Sequence, residues 1–127
     1  MNAILSINPK YIKKIVTGEK QYEFRKTIFR DKQVRSVYIY ATAPTKKIIG
    51  SFDIGRIIED HPNNLWRSLW NVSGISKQDF FTYFTNKQKG FAIEIKKLNL
   101  FDMPIDPHDV ISDFHPPQSF SYLKQTI

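Results

Sequence analysis

The sequence predicts an α+β fold in one domain spanning residues 1–127, with four or five strands and two or three helices. Three observations carry that expectation. Several short runs are rich in β-branched and aromatic residues or alternate apolar with polar, as strands do. Between them lie stretches of helical spacing with recognisable caps. No internal repeat, low-complexity tract or linker divides the chain, and its length suits a single core.

"NAILSI" at 2–7 reads as the first strand. Asn8 and Pro9 then supply an N-cap and a first helical residue, and "PKYIKKIVT" gathers Tyr11, Ile12, Ile15 and Val16 on one side. Lys10, Lys13 and Lys14 take the wet side of that amphipathic helix. Gly18 ends it in a left-handed conformation, and "KQYEFR" follows as a second strand. "SVYIYAT" at 36–42 is the third. "KKIIGSFDIGRIIE" at 46–59 is a long extended stretch in which Gly50 and Gly55 mark bends or bulges.

A helical insert comes next. "PNNLWRSLW" forms a short helix and "SKQDFFTYF" a second, with Ser76 and Asp79 as a capping-box pair. Gly90 restarts the sheet with "FAIEIKKLNLF". The proline-rich tail from 102 is expected to dock on the body, with Phe120 and Leu123 anchoring a closing helical turn and Gln118 and Ser119 available to a cleft.

Charge narrows the function classes. Of the formal net charge of +7, residues 1–50 hold 11 Lys/Arg against 3 Asp/Glu, and the remainder is near neutral. A one-sided basic face attracts polyanions, and nucleic acid is the expected partner. With no cysteine, disulfide frameworks, thiolate zinc sites and cysteine nucleophiles are excluded. No apolar run is long enough to span a bilayer and the first residues lack a signal-peptide layout, so the expected location is cytoplasmic. Neither GxSxG nor a phosphate-binding loop occurs. "DMPIDPHDVISDFH" offers Asp106, His108, Asp109, Asp113 and His115, but its prolines break any ligand spacing, so neither metal nor other cofactor is expected.

One stretch holds the candidate site. In "GEKQYEFR" (18–25) strand alternation sends Tyr22 and Phe24 to the core and Glu23 and Arg25 to the other face, where the plain reading is a surface ion pair. Lys20 follows the turn and can swing either way. The spacing Gly18, Lys20, Glu23, Arg25 (G-x-K-x-x-E-x-R) resembles the signature of the ASCH domain, a branch of the PUA-like superfamily. The preceding "AILSINPKYIKKIVT", then "VYIYATAP" and "IIGSFDIGRI", follow in the same order, so the likeness covers most of the first 60 residues. The later "GISKQDFFTYF" and "GFAIEI" fit the family's helix-then-strand ending.

The resemblance implies a small closed or nearly closed β-barrel with helices at its edge, and a cleft lined by Lys20, Glu23 and Arg25 that binds RNA or a nucleotide. We place Tyr40 and Lys46 with that ligand site, and Lys10, Lys13, Lys14, Lys26 and Arg30 on a nucleic-acid-binding surface. Tyr38 and Trp66 are further candidate rings. The leading expectation is a reader without catalysis, possessing a regulatory role. One branch of similar proteins hydrolyses acetylcytidine nucleosides, and another member type is linked to RNA cleavage. If this chain is an enzyme, Lys20 is the residue to carry the chemistry, with Glu23 as proton acceptor. Against hydrolysis, Glu23 stands where that branch has threonine, "WNVSGIS" lacks its carboxylate, and Glu23 should raise the Lys20 pKa when a base needs it lowered. A protein-interaction module with an acidic partner is the remaining alternative.

Overall fold

A computed structural model describes residues 1–127. The elements are β1 (Asn2–Ile7), α1 (Pro9–Thr17), β2 (Tyr22–Arg25), β3 (Ser36–Ala41), β4 (Lys47–Asp60), α2 (Pro62–Leu69), α3 (Lys77–Tyr83), β5 (Gly90–Ile105) and β6 (Phe120–Leu123). Short 3-10 turns occupy Trp70–Val72 and Pro107–Asp109. None of the helices is long and apolar enough to cross a membrane.

Local chemistry accounts for the helix ends. The Asn8 side chain accepts from the Lys10 amide, and Gly18 closes α1 at φ 84°, a conformation that costs a residue with a Cβ. The Ser76 hydroxyl accepts from the Asp79 amide. His61 caps α2 in the same manner, its Nδ1 accepting from Asn63 N at 3.0 Å.

All six strands form one sheet in the order β2-β5-β4-β3-β1-β6. Only β1 and β3 pair in parallel; the rest are antiparallel. Register shifts between Ile48 and Gly50 and between Ile54 and Ile57 bend β4 against β5, at the glycines expected to do so. β5 runs past the expected end at Phe101 to Ile105.

The sheet is not closed into a barrel by backbone pairing, because β2 and β6 are its two edges. The four residues of β2 give way to a turn in which the Asp31 carboxylate caps the Gln33 amide, leaving no strand to pair with β6. Side chains bridge the seam. Arg25 Nη2 donates to the Ser6 carbonyl of β1 at 2.7 Å, and the Thr27 and Ser119 hydroxyls lie 3.0 Å apart. Tyr122 Oη accepts from the Arg30 and Asp31 amides at 2.8 and 3.1 Å.

The tail also departs from expectation. Phe120 to Leu123 form a strand, not a helical turn, since the free edge of β1 satisfies their backbone groups. Phe120 therefore packs on one side of the sheet and Leu123 on the other.

Three apolar clusters result. The first joins β1, β3 and α1 through Ala3, Leu5, Ile15, Val37 and Ile39. The third lies on the opposite face, where Ile4, Tyr38, Tyr40 and Ile48 meet Phe114 and Leu123 of the tail. The second packs α2 and α3 on β2 and β5. Within it Phe80, fully buried, meets Phe24, Trp66 and Phe84 with ring centroids 4.9–5.1 Å apart. Each such contact is worth about 0.5–1.5 kcal/mol beyond area burial. That cluster matters for function, because it fixes α3 beside β2.

Candidate functional site

The route into the site begins at the Gly18 turn. Lys20 N donates to the Lys14 carbonyl at 2.9 Å, and Gln21 N to the Val72 carbonyl at 2.8 Å. These bonds dock the segment before β2 against the loop 70–76, so the Lys20 side chain turns inward and is only 3% exposed. Gly74 makes the approach possible. It sits at φ +61°, and a Cβ there would collide with the Cβ of Lys20.

The Lys20 amine donates to the Ser73 carbonyl at 3.1 Å and lies 3.6 Å from Glu23 Oε1. Aromatic faces complete its surroundings, with ring centroids of Phe24 and Tyr11 at 4.9 and 5.5 Å. Burial lowers its pKa from 10.5, and Glu23 only partly offsets this. Glu23 raises it as expected, but desolvation outweighs one carboxylate when the amine is this deeply enclosed.

Glu23 Oε2 contacts Arg25 Nη2 at 2.9 Å. Glu23 and Arg25 are 8% and 9% exposed, so the surface ion pair expected from alternation is in fact enclosed, with β2 buried on both faces. Arg25 Nε is buried without a partner. Tyr83 stands nearby on α3, and burial raises its phenol pKa against the opposing charge of Arg25.

Lys20, Glu23 and Arg25 therefore share one cleft of about 220 Å³, whose walls also include Ser6, Asn8, Tyr11, Asp79 and Tyr83. That volume is smaller than the usual drug-sized pocket and suits a group the size of one base. Chemically it offers a carboxylate acceptor between two cations, a charged donor without a partner, and aromatic walls.

The other expected residues scatter. Tyr40 does not line the cleft; it is buried in the third cluster, 5.2 Å from Phe114. Alternation along β3 sends Tyr38 and Tyr40 to that face together, away from α3. Lys46 is exposed in the turn between β3 and β4. Lys10 lies at the cleft mouth, 3.6 Å from Asp79, and Lys26 lies over the Tyr83 ring at 4.6 Å. Lys13 is exposed on α1, and Lys14 is 3.7 Å from Glu19. Arg30 lines a separate cavity of about 580 Å³. Tyr38 Oη accepts from Ile127 N, Trp66 is half-buried against Phe80 and Phe81, and Ser119 belongs to the seam.

Sequence reasoning missed Ser6, Asp79 and Tyr83 as walls of the site and Ser73 as the acceptor behind Lys20. A signal existed for Asp79 and Tyr83: their i, i+4 spacing on α3 puts them on one helix face. The Ser6 and Ser73 contributions are backbone carbonyls, for which residue type carries no signal.

Comparison with known proteins identifies the family and the fold. The ASCH domain model matches residues 5–99. An "ASCH domain-containing ribonuclease" of Zymomonas mobilis is 30% identical over 129 residues, covering 97% of this chain and 84% of that protein. The large ribosomal subunit protein uL22 of Ureaplasma parvum is 32% identical over 125 residues, but this chain spans only 39% of its length. A crystal structure of ASCH from Zymomonas mobilis superposes with a TM-score of 0.89 at 30% identity, covering 98% of this chain and 88% of that one. With a family match over most of its length, a relative similar nearly end to end and the same fold, this chain belongs to the ASCH domain family.

Proposed function

We propose that this protein binds RNA, seating one base or nucleotide in the cleft of Lys20, Glu23 and Arg25. The single observation that carries the reading is the convergence of three buried charged side chains, Lys20, Glu23 and Arg25, on the wall of one cleft. Enclosed charges of both signs cost desolvation unless they serve a ligand, and a nucleotide offers both phosphate or base oxygens for the cations and amines for the carboxylate. Glu23 suits an exocyclic amine, and Tyr11 and Tyr83 provide ring faces. The basic side chains of Lys10 and Lys26 flank the mouth and meet the backbone of the strand.

A second reading, RNA cleavage, is favoured by the relative named a ribonuclease. In that chemistry a 2′-hydroxyl attacks the adjacent phosphorus, its proton passing to a base, and the P–O5′ bond breaks with the 5′-oxygen protonated by water, leaving a 2′,3′-cyclic phosphate and a 5′-hydroxyl. Lys20, its amine made easier to discharge by burial, or Glu23 takes the first proton, and Arg25 steadies the phosphorane charge.

Fluorescence anisotropy with end-labelled single-stranded RNA at low salt tests the first reading. Binding should weaken steeply as salt rises and fall in Arg25→Ala; absence of binding by the wild-type protein at low salt ends it. Cleavage is scored on a denaturing gel of the same RNA, and an uncut substrate at excess enzyme ends the second. Acetylcytidine run beside it tests the hydrolase alternative directly.

A further inference from the structure

Trp70 is 60% exposed, an unusual position for the largest apolar side chain, and no other aromatic ring packs on it. Trp66, four residues earlier, buries its ring against Phe80 and Phe81, so the two tryptophans of α2 and its end have opposite fates. Trp70 lines a shallow groove of about 390 Å³ together with Lys14, Asn71, Ser73 and Ile75.

The groove and the cleft are neighbours across one short loop. Ile75 lines both, and the Ser73 carbonyl that borders the groove holds the Lys20 amine of the cleft. The two sites therefore share the Ile75 wall, with Trp70 on the groove side of it. Within the groove wall Lys14 is paired with Glu19 at 3.7 Å, while Lys13 on the same helix and Lys77, next to the groove residue Ser76, are exposed cations at its margin.

We infer that Trp70 is a stacking platform for a second base of the same RNA strand, making the site a two-nucleotide reader of single-stranded RNA. The inference rests on the RNA reading of the cleft. An exposed ring stacks any base, so it adds affinity without sequence preference, and the Asn71 amide supplies a donor and an acceptor for the base edge. A duplex is disfavoured, because its bases are already stacked on one another.

Tryptophan emission of the full chain, titrated with unlabelled single-stranded RNA of about ten nucleotides at low salt, is the test. The wild-type signal should be quenched on binding. Trp70→Ala should weaken binding about 5- to 150-fold, the loss of one stacked base. Trp70→Phe should weaken it less and abolish the quench, since the half-buried Trp66, packed against Phe80 and Phe81 away from the groove lining, is then the remaining emitter. Undiminished affinity in Trp70→Ala, or an unchanged quench in Trp70→Phe, overturns the inference. If Arg25→Ala abolishes binding while Trp70→Ala does not, the cleft reading survives and this one fails. No binding by the wild type removes both.

Discussion

Replacing Glu23 with glutamine removes the one negative charge between two buried cations while keeping the side chain's shape. Its carboxylate lies 2.9 Å from Arg25 and 3.6 Å from Lys20, and all three side chains are at most 11% exposed. Water screens little there, so the loss is that of breaking a buried pair, about 3–5 kcal/mol. A domain of this length carries about 6–19 kcal/mol, so the variant still folds. The pH dependence follows from Lys20. Its folded pKa lies below the 10.5 of the unfolded chain, so between those values the unfolded state binds more protons and stability rises with pH. Below the folded value the amine is charged in both states and the full penalty of burial stands. Without Glu23 the folded pKa drops further, so the rise begins at lower pH. The gap to wild type then narrows as Lys20 discharges, though it does not vanish while Arg25 stays charged. Urea denaturation at a series of pH values between about 6 and 9.5 measures this. A gap under about 1 kcal/mol, the worth of a surface pair, or a gap without pH trend would refute the enclosed-triad account.

Two further perturbations test the scaffold. Gly74→Ala forces a left-handed alanine, costing about 1–2 kcal/mol, and drives its methyl into Lys20. Stability and RNA affinity should fall together, and loss of stability alone would separate Gly74 from the site. Tyr122→Phe removes the acceptor of the Arg30 and Asp31 amides and should cost about 0.5–1.5 kcal/mol. Hydrogen exchange at those two amides should quicken, and unchanged rates would show that Tyr122 does not hold the seam.

The elements that announced themselves were those whose chemistry is local. Asn8, Pro9 and Gly18 bound α1 because caps are decided within a few residues, and β3 and β4 appeared where β-branched runs end at turn residues. Lys20, Glu23 and Arg25 were legible as a group through resemblance, whereas alternation alone left Glu23 and Arg25 on a wet face. Their burial depends on α3 docking beside β2, a contact between segments more than fifty residues apart. Tyr40 and the tail strand show the same limit from the other side. Which face of β3 meets the cleft, and whether Phe120 and Leu123 follow a helical or an extended period, are set by neighbours that short-range pattern does not contain. The ring left in solvent is Trp70 and the one packed on other rings is the half-buried Trp66, with α2 ending between them at Leu69.

The seam between the sheet's edges gives Arg25 a second office. Its Nη2 ties β2 to the Ser6 carbonyl on β1, while its Nε–H, on the same planar group, is unsatisfied. On the proposed binding, occupancy of the cleft and the tie across the seam share one guanidinium. Thermodynamic linkage then runs both ways: whatever factor in affinity a ligand gains from a clasped seam, the clasp gains equally from the ligand. If RNA occupies the cleft as proposed, the Arg30 and Asp31 amides, held across the same seam by Tyr122, should report binding at a site they do not touch.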